Sequence, residues 1–177
     1  MSYQTRAGTA AAAPNTWPAG ADLKFDSKRI NLILFAHPKC PCTRATLAEL
    51  ETVLTEQREK ITATLCIFDP EGVPADWADT RLVRDARTIS GLNVVVDRNG
   101  TLAAKFGTVT SGQVIMFDRA GRKIFSGGIT GTRGQAGENR GRNLVLALAR
   151  GEICSAESTP VFGCALHDDL DSQETKR

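Results

Sequence analysis

Asn31-Leu-Ile-Leu-Phe-Ala-His-Pro-Lys-Cys-Pro-Cys-Thr-Arg-Ala-Thr-Leu-Ala-Glu-Leu50 decides how the rest of the chain is read. The apolar run ending at Ala36 predicts a buried strand over Ile30–Ala36, and it breaks at His37-Pro38. Cys40 and Cys42 follow, one residue apart. Thr43 then opens a helical pattern, predicted over Thr43–Lys60, with Leu47, Leu50 and Leu54 on one stripe. Thiols at such a junction lie where unpaired backbone N–H groups and the helix dipole favour a thiolate. That placement suits redox or soft-metal chemistry. The same two cysteines in mid-strand would read as packing.

Outward from this stretch, strands and helices alternate. Ile61–Phe68 reads as a second strand, Trp77–Ile89 as a helix, and Leu92–Val96 as a third strand ended by Asp97-Arg-Asn-Gly100. A short helix over Thr101–Phe106 stops at Gly107. Gln113–Phe117 and Arg122–Ser126 flank Asp118-Arg-Ala-Gly121, a hairpin signal. Asn143–Arg150 is the last helix. This order predicts an α/β protein with a mixed central sheet flanked by helices in three layers. Residues 1–22, rich in Ala, Thr, Gly and Pro, read as a flexible tether, with Trp17-Pro18 a candidate to dock onto the domain. The domain spans 23–154, and 155–177 is a polar tail able to carry Cys164 toward the site.

A chain of 177 residues is long enough for one domain with a sizeable core. The net charge of +2, with its arginines spread thinly, argues against a nucleic-acid partner. No stretch is long and apolar enough to span a membrane, and Ala10 to Ala13 is too short for the core of a signal peptide. Five cysteines make an odd count, so at least one stays unpaired or bonds elsewhere. Cys66, inside the second strand, reads as a packing thiol. Cys154 and Cys164 are open to a tail-pinning disulfide or to a functional role. The glycine-rich stretch Gly127–Gly141 lacks the Gly-Lys-Ser/Thr ending of a phosphate loop and reads as a long loop beside the thiol junction. Its Arg133 and Arg140 are available to an anionic partner.

With Phe35-Ala-His-Pro-Lys-Cys40, Val94-Val-Val-Asp-Arg-Asn-Gly100 and Val114-Ile-Met-Phe-Asp-Arg-Ala-Gly121, the order of elements over about residues 23–150 resembles the thioredoxin-like superfamily, in its TlpA/ResA and redoxin branch. More narrowly, His37-Pro-Lys-Cys-Pro-Cys42 together with Thr159-Pro-Val-Phe-Gly-Cys164 is similar to a small bacterial group labelled RedB-like. The resemblance implies thiol–disulfide exchange on a protein thiol or disulfide, with no required cofactor. It also implies an extracytoplasmic, for instance periplasmic, location, with any membrane attachment through an anchor upstream of the residues present. A cytoplasmic location is the alternative. Two positions depart from the family. Ungapped counting from Phe35 puts Cys40 at the nucleophilic cysteine and Thr43 at the resolving one, leaving Cys42 one residue early. The cis-proline that shapes the family's substrate groove and blocks metal access corresponds here to Gly112, beside Ser111.

Three classes of function follow. In the redox reading Cys40 is the nucleophile, Cys42 the resolving thiol and Thr43 the helix start, with Pro41, Ser111 and Gly112 lining the substrate side. A ring closed across Pro41 alone is strained and easily reduced, which suits an oxidant or isomerase. Cys164 is a further resolving partner if the tail folds back. In the metal reading His37, Cys40, Cys42, Cys164 and His167 form a soft donor set for copper(I) or zinc, and Gly112 leaves room for the ion. In the third, the fold binds a protein without turnover: the cysteines are inert and His37 ends the strand.

Overall fold

The computed structural model describes residues 7–8, 12–154 and 158–167. Nine elements run in the order β1(Ile30–Ala36), α1(Thr43–Gln57), β2(Ile61–Asp69), α2(Arg81–Ala86), β3(Leu92–Arg98), α3(Thr101–Lys105), β4(Gln113–Phe117), β5(Lys123–Gly127) and α4(Arg140–Arg150). The five strands form one mixed sheet in the order β3-β2-β1-β4-β5. β1 pairs parallel with β2 and antiparallel with β4, so Leu34 faces Leu65 on one side and Val114 on the other. β3 adds parallel to β2, and β5 closes the other edge antiparallel to β4.

The two-residue period of the strands divides the core. Leu32, Leu34 and Ala36 of β1 face a layer built from Leu47, Leu50 and Leu54 of α1, Leu82 and Val83 of α2, and Val145 and Leu146 of α4. Ile33 and Phe35 face the opposite layer, with Leu102 of α3, Phe106, Phe117 and Cys66. Cys66 is fully buried there, and desolvation, followed by the nearby Asp97 charge, pushes its thiol up. It is therefore an inert packing group. Asp97 itself accepts the Leu102 and Ala103 N–H groups and so holds the start of α3.

Two expectations are corrected. Of the segment read as a tether, residues 1–6 and 9–11 lie outside the described residues; from Ala13 onward it packs on the domain, with Trp17 docking as offered. Trp17 sits edge-on to Phe106 and Phe117 at 5.3 and 5.4 Å, and Lys123 donates from its backbone to Asn15 and from its side chain to Ala13. Its small residues lie against the domain because one aromatic anchor and backbone pairing suffice. Second, the helix bounds move. α2 is confined to Arg81–Ala86 because Thr80 caps it, accepting the Val83 N–H. α4 starts at Arg140, where Asn139 accepts the Arg142 N–H. α1 ends at Gln57, after which Lys60 N–H returns to the Gln57 carbonyl and starts the turn into β2.

β1 is the central strand, so its carboxyl end opens in the middle of the sheet edge, where α/β sheets place ligands. His37 and the cysteines follow it there.

Candidate functional site

No side chain caps α1. Its entry is wound instead by successive tight turns: Cys40 N–H to His37 carbonyl, Thr43 to Cys40, Arg44 to Pro41 and Ala45 to Cys42. Cys40 and Cys42 are thereby fixed at the entry to α1, both buried, with Pro41 exposed between them.

Ser111 joins this turn to the sheet. Its hydroxyl accepts the His37 backbone N–H at 2.9 Å and shares a hydrogen bond with Thr43 Oγ1, also 2.9 Å. Gly112 is in the left-handed region at φ 93° and donates its N–H to the Phe35 carbonyl at 2.8 Å. No peptide bond among the described residues is cis. Proline there would lose the bond and be held to a negative φ.

The third component comes from the tail. Residues 158–167 run back along the sheet, Ser158 bridging parallel to Ser126 of β5 and Ala165 antiparallel to Thr110. Ser111 donates its N–H to the Cys164 carbonyl at 2.8 Å, and Leu166 donates to Val109 at 2.9 Å. Val161 and Leu166 are buried on either side. Cys164 Sγ thus lies 3.1 Å from Cys40 Sγ, and the sulfurs of Cys40, Cys42 and Cys164 all lie within 4.8 Å of one another. Cys154, four residues past the end of α4, contacts the Glu152 carbonyl instead, so the tail-pinning pair Cys154–Cys164 is not the arrangement found.

The electrostatics of the cluster are asymmetric. The Cys164 thiol, donating to Cys40, holds the Cys40 thiol well below its usual range. Burial opposes this, and the Cys164 backbone with the Thr43 and Ser111 hydroxyls adds to the lowering. Cys42 is pushed up, first by desolvation and then by the charge on Cys40, with the Arg133 guanidinium partly offsetting both. Cys164 is raised by donating to Cys40 and by burial. One thiolate, at Cys40, is the state this arrangement favours.

Of the sequence-predicted residues, Cys40, Cys42, Thr43, Ser111, Gly112 and Cys164 converge. His37 and His167 do not join the sulfurs: among the described residues the group with metal-ligand spacing is the three cysteines. His37 Nδ1 accepts the Lys39 N–H at 3.1 Å, and its ring meets Trp77 edge-on at 5.3 Å. His167 packs on Phe68 at 4.8 Å and over Gly100. The five-residue donor set therefore contracts to three thiols. Arg133, which the sequence offers to an anion, instead donates to the Gly163 carbonyl at 2.6 Å and stands beside Cys42. Trp77 has a role beyond the helical pattern that the sequence assigns it. Its ring carries the Lys39 ammonium at 4.6 Å at the rim of the site. The signal for Arg133 is its glycine-rich loop, whose partner, the tail, is distant in sequence.

No protein-family model matches the sequence, and no curated protein matches it. Solved structures do. An uncharacterized conserved protein from Geobacillus kaustophilus superposes with a TM-score of 0.66 at 16% identity, covering 94% of each chain. The exposed lipoprotein thioredoxin Etrx1 of Streptococcus pneumoniae gives 0.53 at 14% identity, over 79% of this chain and 99% of that one. A secreted disulfide oxidoreductase of Mycobacterium tuberculosis gives 0.52 at 13%, over 71% of this chain and 83% of the other. With the mixed sheet, the strand order and the cysteines at the end of the central strand, these similarities establish that the chain has the thioredoxin-like fold.

Proposed function

We propose that the protein is a thiol–disulfide oxidoreductase acting on protein thiols outside the cytoplasm. The observation that carries this reading is the environment of Cys40. Its sulfur sits at a strand-to-helix junction within 3.1 Å of a second thiol, and the surrounding donors favour the thiolate. A thiolate so placed attacks one sulfur of a substrate disulfide, forms a Cys40 mixed disulfide and expels the other sulfur as a thiolate, which takes up a proton. A neighbouring protein thiol then completes the exchange. The location rests on the secreted and surface-exposed proteins that share the fold. No helix among the described residues is long and apolar enough to cross a membrane.

The test is reaction of the reduced protein with glutathione disulfide, followed by mass spectrometry. Cys40→Ser is expected to lose the mixed disulfide, and an undiminished adduct in that variant overturns the assignment.

The three-sulfur cluster favours a second reading, a site for a soft cation such as copper(I) held by Cys40, Cys42 and Cys164. Anaerobic copper(I) titration against a competing chelator separates the two. One-to-one binding lost in each single cysteine variant supports metal handling, and failure to compete removes it.

A further inference from the structure

The residue next to the nucleophile in sequence is not the one its geometry serves best. A Cys40–Cys42 bond closes a small ring across Pro41, whose φ is fixed, while the carbonyls of both cysteines accept hydrogen bonds in the opening turns of α1. Closing that ring works against those turns. Cys164 meets no such obstacle. Its sulfur already lies 3.1 Å from Cys40, and the chain carrying it is held on both sides. Downstream, Ser111 N–H binds the Cys164 carbonyl and Leu166 N–H binds Val109. Upstream, Arg133 grips the Gly163 carbonyl and Thr159 Oγ1 binds the Gly128 carbonyl.

Gly163 is what lets this segment lie so close. A Cβ added there would fall 1.7 Å from the Ser111 carbonyl oxygen, an impossible approach. Gly127 and Gly128 are crowded less severely, a Cβ there falling 2.4 Å from Thr159 Oγ1 and 2.5 Å from the Pro160 carbonyl oxygen. The tail is thus seated by backbone contact along its length.

We propose that Cys164, delivered by this docked tail segment, is the thiol that resolves the Cys40 mixed disulfide, and that Cys42 remains reduced through that step. The inference rests on the thiol-exchange reading. After Cys40 has attacked a substrate disulfide, Cys164 gives up its proton and attacks Cys40 Sγ. The Cys40–Cys164 bond forms, the bond from Cys40 to the substrate sulfur breaks, and that sulfur leaves as a thiolate and is protonated. The substrate gains two electrons and two protons, which the two protein thiols lose.

The test is addition of one equivalent of glutathione disulfide to the reduced protein, with acid quenching, mass spectrometry and peptide mapping over time. Wild type is expected to show a transient Cys40–glutathione adduct that clears to a Cys40–Cys164 disulfide. In Cys164→Ser the adduct should persist at least tenfold longer. In Cys42→Ser it should clear within about twofold of the wild-type rate and yield the same disulfide. Gly163→Val keeps every thiol but unseats the tail, and should prolong the adduct as Cys164→Ser does. The remote Cys154→Ser should match wild type. Persistence in Cys42→Ser with normal clearance in Cys164→Ser would overturn the proposal while leaving thiol exchange intact. Normal clearance in Cys164→Ser or in a folded Gly163→Val would also overturn it. If no protein forms an adduct on Cys40, the exchange reading itself has failed and the inference goes with it.

Discussion

Ser111 and Cys164 set the chemistry of Cys40 from positions far away in sequence. Because hydrogen bonds from Cys164, Thr43 and Ser111 lower the Cys40 thiol, its alkylation by iodoacetamide should stay fast well below pH 7. Cys164→Ala removes the largest of these donors. At pH 6 the rate at Cys40 should then fall by about tenfold or more, because a thiol returned toward its ordinary range is mostly protonated at that pH. The lowered Cys40 thiol also has a stability consequence of defined sign. A folded value below the unfolded one means that the Cys40 contribution is fully present above the ordinary thiol range, about 8.5, and is lost as pH falls through the depressed value. Cys42 and Cys164 are displaced upward, so their contribution fades as pH rises past that range. Reduced wild type compared with Cys40→Ala in urea at several pH values should show the first trend. Ser111 is itself buried, and its hydroxyl serves both the His37 N–H and Thr43. Ser111→Ala should lower stability by roughly 1–3 kcal/mol, read from the denaturation midpoint.

Among the elements, α1 is the hub. Glu49 on its buried side pairs with Arg142 of α4 at 2.9 Å and accepts the Gly137 N–H, tying the glycine-rich loop to two helices. Its side chain is only 3% exposed, so Glu49→Ala would strand Arg142 and should cost about 3–5 kcal/mol; denaturant unfolding measures it. The turn before β4 gives the opposite lesson about likeness. Installing the family's proline by Gly112→Pro should destabilise by about 3 kcal/mol or more, because it deletes the bond to Phe35 and forbids the positive φ. Much of this level was legible in sequence. Apolar runs and Gly turns located every strand, and β1 and β4 fall on their expected bounds. Helix ends were harder, since Thr80 and Asn139 act as caps only in the folded context that presents them. At the site, Cys40, Thr43, Ser111 and Gly112 were readable from local spacing and the family's pattern. Cys164 was offered as a partner if the tail folds back, and the structure puts it there. The backbone contacts that seat the tail, and the turn of Arg133 to the Gly163 carbonyl, were not readable, because a tail over a hundred residues from Cys40 carries no periodicity that announces where it docks.

For the whole molecule, the choice of disulfide is also a choice of how much chain is cross-linked. A Cys40–Cys164 bond closes a loop of about 125 residues and by chain entropy should add roughly 5 kcal/mol; a Cys40–Cys42 bond closes about three residues and should add only about 1–2. Comparing urea midpoints of oxidised and reduced protein distinguishes them, a large displacement matching the long loop. The way the tail is seated has a further consequence. Because Gly127, Gly128 and Gly163 let backbone rest directly on backbone, the tail is recognised by its spacing more than by its side chains. Most exposed tail positions should therefore accept varied residues, whereas inserting or deleting one residue between Thr159 and Cys164 would break the spacing between the Ser158 and Ala165 bridges and carry the sulfur away from Cys40. The tail works as a ruler: tolerant of spelling, intolerant of length.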